Sequence, residues 1–433
     1  MSSKVTDSSK VTDATVTGDP EAGGVSRRSL LLGISAAALA SGASAAFGAD
    51  LDLPVPASAY QPWLGKKLRV GVVGGGFGLS FPWHLHPSCE VTAVADLFEA
   101  RRQKMKALFR CDNVYGDFRP MLKDSKVDAI AFYTYGPDHA GHCIEAMKAG
   151  KDAMTVIPAA VTLEECRQLI ETVKATGRVF MYGETGCFHP AVMAARRLYL
   201  DGRFGQVYRT HGNYIHNAYA GPFDAIRKSL MRDGERTWRW GFPQGWYSGH
   251  ATGPIVHVTR DRFAEVSAIG ALYPYEPLKE NRYGNPFANT SFFFRTALGK
   301  PATADVHWMT ASPGHEGIQI HGTELSLFEE AETLPARAFA PDFIDSQFHD
   351  QRRSRLDLSA YLQVLPPSLR ETQGHGGSHA HIIHEFVSAC LQRRRPSVDE
   401  YQAAAIAACG IVGFQSATRG GELLKIPDFG PLG

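Results

Sequence analysis

A chain of 433 residues is long enough for two domains, each with a substantial core. With 44% hydrophobic residues, 21% charged residues and a formal net charge of +1, it lacks the basic field that nucleic acid or an anionic membrane calls for. An ordinary soluble enzyme with no nucleic-acid partner is expected. Cys89, Cys111, Cys143, Cys166, Cys187, Cys390 and Cys409 show neither disulfide nor metal-ligand spacing, so buried free thiols are expected.

Residues 1–49 read as a leader. SSKVTD occurs twice, at Ser2–Asp7 and Ser8–Asp13, in a polar tract too poor in large apolar groups to fold. Arg27 and Arg28 then precede the small-residue apolar stretch Ser29–Ala46, and Ala43-Ser44-Ala45 offers a cleavage site. This is the pattern of a twin-arginine signal, used for proteins exported already folded, so the twin-arginine translocase is the expected partner and the periplasm the expected destination. The alternative is a chance arginine pair before an uncleaved anchor. Residues 50–66, with Pro54, Pro56 and Pro62, read as an extended arm.

From 67 to 186 strand and helix signals alternate. KLRVGVVG, VTAVADL (91–97), VDAIAFYT (127–134), AMTVIP and RVFMYGE are apolar, β-branched runs suited to strands buried on both faces. A helix is expected from Pro137 to Gly150. Another is expected from the Thr162/Glu165 capping box to about Thr176. Such alternation means a doubly wound parallel sheet, the Rossmann arrangement. Within it Gly74 and Gly76 can turn tightly and bring backbone N–H groups to a pyrophosphate at the start of a helix, with Phe77 beside them. The third position of the motif is Leu79, and Gly78 lies one residue early. Asp96, closing the second strand, would accept from a ribose 2′-OH and repel a 2′-phosphate, which favours NAD over NADP. A structural glycine turn is the alternative.

Residues 187–433 have another texture. PAVMAARRLYLDG reads as a helix, followed by strand candidates at QVYRTHGNYIH, EVSAIGALY, TSFFFRTA, ATADVHWMT and GIQIHGTELSLF. The expected fold is therefore α/β, a Rossmann domain joined to an α/β domain with a large, mainly antiparallel sheet. The open face of that sheet is the expected floor for nicotinamide and substrate. The last helix, AAAIAACGIVGFQSA, is apolar enough to pack under a sheet or at a subunit interface, so a homo-oligomer is expected.

The glycine loop, TYGPDH (Thr134–His139), AGKDAMTVIPAAVTLEEC, HGTELSL and the turn at Arg395-Pro396-Ser397 resemble the glucose-fructose oxidoreductase and inositol dehydrogenase family. The resemblance implies NAD, a two-domain fold and a sugar or polyol substrate. Most dehydrogenases of that family carry Glu-Lys-Pro at the end of the fifth strand, where this chain has Val156, Ile157 and Pro158. Isoleucine neither donates nor accepts a proton, so the lysine route is closed. VIPAAVT instead resembles the VPAAVT of the family's oxidoreductive N-acetylgalactosaminidases.

Proton-moving groups must then come from elsewhere. Tyr214 and His216 lie two apart in a strand and share a face, where a phenol and an imidazole can polarise a hydroxyl and take its proton; packing is the alternative. In GHATGPIVH, Pro254 suits the first turn of a helix, placing His250 in the preceding loop and His257 about one turn in. The resemblance matches Gly253 to the dehydrogenases' aspartate and His257 to their histidine. It also implies His139 and Thr134 beside the cofactor with Pro158. Glu184 ends the last Rossmann strand, where open parallel sheets bind ligands, and is expected at the nicotinamide end. GHGGSHAHIIHEF gathers His375, His379, His381 and His384; H-x-x-x-H alone is weak evidence for zinc, so no metal is expected, and the resemblance implies substrate contact by His375 or His379. Three readings stay open: an exported enzyme with tightly bound NAD recycled during action on a sugar or glycoside, a simple sugar or polyol dehydrogenase, and a catalytically silent sugar-binding protein.

Overall fold

The run LRVGVV becomes β1 (Leu68–Val73), the central strand of a six-stranded parallel sheet, because an apolar, β-branched segment is stable where both faces are covered. Around it lie β2 (Cys89–Ala95), β3 (Val114–Tyr115), β4 (Ala129–Phe132), β5 (Asp152–Thr155) and β6 (Phe180–Tyr182), in the order β3-β2-β1-β4-β5-β6. The order reverses between β1 and β4, which opens a crevice at the carboxyl ends of the strands. The computed structural model describes residues 60, 65–216, 228–311, 315–329, 337–339, 354–355, 358–372 and 374–432. The leader, its arginine pair and most of the arm lie outside the described residues. Everything below belongs to the unit Gly48–Gly433.

Helices α1 (Glu99–Phe109), α2 (Arg119–Lys123), α3 (His139–Lys148) and α4 (Leu163–Thr176) connect these strands. The capping box forms as expected: Thr162 accepts from Glu165 N at 3.1 Å, and Glu165 returns a bond to Thr162 N at 3.0 Å. One expectation fails. The glycine loop leads into 3₁₀ turns at Gly78–Ser80 and Trp83–Leu85 rather than an α-helix, so no helix dipole stands behind it.

After α5 (Pro190–Leu200), the second sheet has nine strands: β7 (Val207–Ile215), β10 (Phe263–Leu272), β11 (Phe287–Thr296), β12 (Pro301–His307), β13 (His315–Gly322), β14 (Ser326–Glu329), β15 (Arg337–Phe339), β16 (Ser354–Arg355) and β17 (Leu424–Lys425), while β8 (Met231–Arg232) and β9 (Glu235–Arg236) form a separate hairpin. Neighbours are antiparallel except β7 and β12, which run parallel. Along β7, Thr210, Gly212 and Tyr214 are buried, whereas His211, Asn213 and Ile215 alternate with them and stay partly exposed. The buried face is covered by α6 (Gly249–Thr259). The cleft therefore opens on the covered face, at the end of β7, and not on the open face expected from sequence.

The chain then returns to its first domain. Helix α7 (Ser378–Gln392) lies against β1, and α8 (Glu400–Thr418) packs on both α4 and β10. Tyr182 N donates to Val398 O at 3.0 Å, and Arg393 pairs with the buried Asp152 at 2.5 Å. The apolar surface of α8 is thus covered within the chain. All seven cysteines are buried free thiols, as expected.

Gly212 permits the approach of α6: a Cβ there would lie 1.9 Å from the Ala251 carbonyl oxygen. A backbone atom cannot swing aside, so Gly212→Ala is expected to push α6 off β7 and cost about 3 kcal/mol. Urea unfolding of the two proteins measures it; an unchanged midpoint would contradict this packing.

Candidate active site

The crevice between β1 and β4 is a groove lined by Gly74, Asp96, Phe98, Arg101, Arg119, Tyr133, Thr134 and neighbouring residues. It shares Tyr133 and Thr134 with a second cavity of about 440 Å³ that reaches β7 and α6. An extended dinucleotide needs such a continuous path. Gly74 has φ +97°, and a Cβ would stand 2.3 Å from the Tyr133 carbonyl, so only glycine fits the turn. Gly78 supplies the close packing that Leu79 cannot, since a Cβ there would meet the Tyr133 ring at 2.8 Å. Asp96 is 7% exposed; it accepts from Gly75 N at 2.7 Å and Phe98 N at 2.8 Å, which fixes its carboxylate at the end of β2 beside the loop. The groove therefore fits NAD, with Gly74, Gly76 and Asp96 along the phosphate and ribose path, and Phe77 and Thr134 toward the cleft. His139 Nδ1–H donates to the Pro158 carbonyl at 2.8 Å, joining the start of α3 to the end of β5. Burial above all pushes its pKa down to about 4, so the ring is neutral.

In the cleft, Glu184 is fully buried at the end of β6. Its Oε1 lies 2.6 Å from His250 Nδ1, and its Oε2 accepts from Tyr182 Oη at 2.8 Å. Burial alone would raise the pKa of this carboxyl. The charge and hydrogen bond of His250, then Tyr182 and Gly186 N, outweigh burial and hold it below the ordinary value. Pro254 lies inside α6 rather than at its start, so His250 sits in the first turn of the helix, a correction to the loop position expected. The packing explains it. A Cβ at Gly249 would come within 2.8 Å of both Glu184 Oε2 and Tyr182 Oη, and one at Gly253 within 3.1 Å of Glu184 Cγ. Gly253 is the position matched to the dehydrogenases' aspartate, and here Glu184 fills the space beside it. The carboxylate that orients the site histidine comes from β6 instead of α6.

Tyr214 stacks obliquely on His250 at 4.4 Å and on His216 at 5.7 Å, and all three line the cleft, Tyr214 and His216 from the strand face they were expected to share. Burial, then Glu316, keeps the Tyr214 phenol protonated far above its ordinary range, so it is a donor. Burial, then His250 and Arg239, lowers His216, so its imidazole is neutral and able to take a proton. Ile157 also lines the cleft and gives that wall an aliphatic surface.

Two expected residues lie elsewhere. His257 sits two turns further along α6 than His250, with Nδ1 at 3.2 Å from Gln402 Oε1, and does not line the cleft. His379 is buried behind the cleft, stacked on Phe81 at 3.8 Å with Nδ1 at 3.1 Å from the Ser80 carbonyl. It anchors α7 to the glycine loop, and only His375 reaches the cleft. Among the described residues no group of three or more metal-capable side chains gathers. Sequence reasoning missed Trp238, Arg239, Tyr247 and Glu316, which all line the cleft. Glu316 pairs in register with Tyr214 and places Oε2 3.5 Å from His250 Nδ1. Arg239 lies over the Trp238 ring at 4.3 Å, and its Nη1 is buried without a hydrogen-bond partner. Strand alternation in HEGIQI was a usable signal for Glu316; Arg239 had none.

A parallel sheet in Rossmann order, a glycine turn fitted to a dinucleotide and a cleft against a second sheet define a nicotinamide-dependent oxidoreductase. Residues 68–184 match the oxidoreductase family with the NAD-binding Rossmann fold. Over 93% of its length the chain is 26% identical to a glycosyl hydrolase family 109 protein of Solibacter usitatus, covering 97% of that protein. It is 25% identical to an α-N-acetylgalactosaminidase of Tannerella forsythia, covering 72% of this chain and 73% of the relative. A levoglucosan dehydrogenase, solved with NADH and levoglucosan, shares the fold at TM-score 0.69 and 19% identity, over 84% of this chain and all of the other. Residues 68–184 thus carry the match to the oxidoreductase family, and over most of its length the chain resembles glycosyl hydrolase family 109 proteins.

Because the Glu184 carboxyl is held below its ordinary value, its stabilising contribution is complete above the unfolded-state pKa, about 4.3, and fades as pH falls through the lower folded value. Glu184→Gln is therefore expected to melt well below the parent at neutral pH and to approach it in acid. Melting curves from pH 7 down to 3 test this; a constant gap between the two would refute the ionised pair.

Proposed function

We propose that the protein is an exported enzyme that keeps NAD bound between turnovers and cleaves a glycoside by oxidising its sugar transiently. The observation that carries this is Ile157: the cleft has an aliphatic wall where the resembled dehydrogenases use lysine, and its proton-moving groups stand on β7 and α6 instead. The long similarity to glycosyl hydrolase family 109 proteins supports the same branch.

NAD, when bound, supplies a reversible two-electron acceptor at the sugar carbon. Tyr214 Oη donates to the hydroxyl being oxidised, and the neutral His216 imidazole takes its proton. The new ketone acidifies the neighbouring C–H. That proton is lost as the glycosidic oxygen departs with its electron pair, and His250, paired through Nδ1 with Glu184, presents Nε2–H to donate the proton the departing oxygen takes up. Addition of water across the resulting double bond, then return of the hydride to the carbon and of the proton held by His216 to its oxygen, give the free sugar. The sum is one water consumed and one glycosidic bond cleaved, so no redox partner is needed outside the cytoplasm. Arg27 and Arg28, followed by Ser29–Ala46, support export by the twin-arginine route.

Turnover of a glycoside in deuterated water is expected to place deuterium on a ring carbon without accumulation of NADH, and nucleotide released by denaturing the purified protein is expected to be NAD. Stoichiometric NADH with an intact, oxidised glycoside would instead make it a simple dehydrogenase. His216→Ala should lower kcat by about 10²–10⁴-fold with the fold unchanged by circular dichroism. The double substitution Arg27→Lys, Arg28→Lys should leave the protein in the cytoplasmic fraction; undiminished export would overturn the assigned route.

A further inference from the structure

A second cavity, of about 350 Å³, lies behind the catalytic turn and shares none of its described lining residues with the cleft. Cys187 and Phe188, which follow Glu184 directly, form part of its wall, and His257 of α6 forms another part. The turn thus borders the cleft at Thr185 and this cavity at Cys187, and α6 borders the cleft at His250 and the cavity two turns further along at His257.

Its charge balance is unusual. Arg196 of α5 is half-buried in the wall, donates Nη1 to the His257 carbonyl at 2.5 Å, and pairs with no carboxylate among the described residues. Behind it Arg260 donates Nη2 to the Ser397 carbonyl at 3.3 Å, while its Nε and Nη1 are buried without partners. Acidic groups nearby are already engaged. Glu385, on the wall, is held by Arg394 at 2.7 and 2.8 Å and by Ser397 N at 2.7 Å. Asp399 caps α8 through Tyr401 N and Gln402 N and lies 3.4 Å from Arg395. Arg197, on the rim, is paired with Asp201 at 3.1 Å. Finally, His381 of α7 lines the cavity at 3% exposure, and its Nε2 has no hydrogen-bond partner. Burial and then Arg196 hold Arg260 down to about 10, outweighing the opposing charge of Asp399, which is itself engaged elsewhere. A guanidinium removed from water with no anion facing it costs several kcal/mol, which a bound anion would offset.

We propose that this cavity is a binding site for a small oxyanion, a carboxylate or a phosphate group, held by the Arg196 guanidinium and the His381 Nε2. Guanidinium geometry suits both anions bidentately, and the volume admits a compact metabolite-sized anion. The inference stands apart from the glycosidase reading, since it uses none of the cleft residues.

Isothermal titration of the full, NAD-loaded protein with inorganic phosphate and, separately, with citrate distinguishes the two sources of the oxyanion. At low salt, saturable binding of at least one is expected. Arg196→Gln should weaken that binding by about tenfold or more, the loss of a charge-assisted contact, while Arg196→Lys should lose less. Arg197→Gln, on the rim, should bind as the parent does. Each variant is first checked by its melting temperature; should Arg196→Gln not fold, the comparison of Arg196→Lys and His381→Gln with the parent decides. Absence of saturable binding for both probes overturns the proposal, as does binding equal in the parent and the Arg196 variants. Binding abolished by His216→Ala would locate the anion in the cleft and overturn it as well.

Discussion

A carboxylate with no exposure to solvent governs the arrangement of the site. Glu184 leaves β6 at the carboxyl edge of the parallel sheet and meets His250, Tyr182 and the backbone of its own turn. An unpaired charge in that place would be costly, so the partners must be held as firmly as the carboxylate. Helix α6 achieves this by lying unusually close, with glycines at 249 and 253 against the carboxylate and Gly212 of β7 beneath its backbone. Through one ion pair, the position of α6 is fixed relative to β6, the last strand of the parallel sheet.

This arrangement separates the chain from the lysine-bearing dehydrogenases it resembles in physical terms. They are expected to place an acid on the helix and a lysine on the fifth strand; here the helix position is glycine, the strand position is isoleucine, and the acid comes from the sixth strand. The substitutions compensate one another. A glycine at 253 would be a loss without Glu184 to occupy the space, and Glu184 would have nowhere to lie if 253 carried a side chain.

Much of the Rossmann domain was legible because its signals are local: buried strands read as continuous apolar runs, and the Thr162 capping box involves residues three apart. The shared face of Tyr214 and His216 was legible for the same reason, since strand alternation is a local rule. What sequence patterns missed depends on contacts between distant segments. Proline statistics put the start of α6 too late, because tertiary packing through Gly249 and Gly253 extends the helix beyond what local propensity favours. His379 read as a site residue from its motif, yet its ring is claimed by Phe81, almost 300 residues earlier. Arg239 and Tyr247, from the stretch before α6, meet Glu316 of β13 in the cleft, and no local spacing announces that meeting of distant segments.

The return of the chain's last segments to its first sheet has a consequence for biosynthesis. Asp152 of β5 awaits Arg393, the backbone of β6 awaits Val398, and α4 awaits α8. A Rossmann sheet emerging from the ribosome would therefore stand with one flank bare until residues 393–418 have followed it, although domains otherwise tend to fold as they appear. A nascent chain stalled before residues 393–418 would lack the bracing that β5, β6 and α4 receive from them.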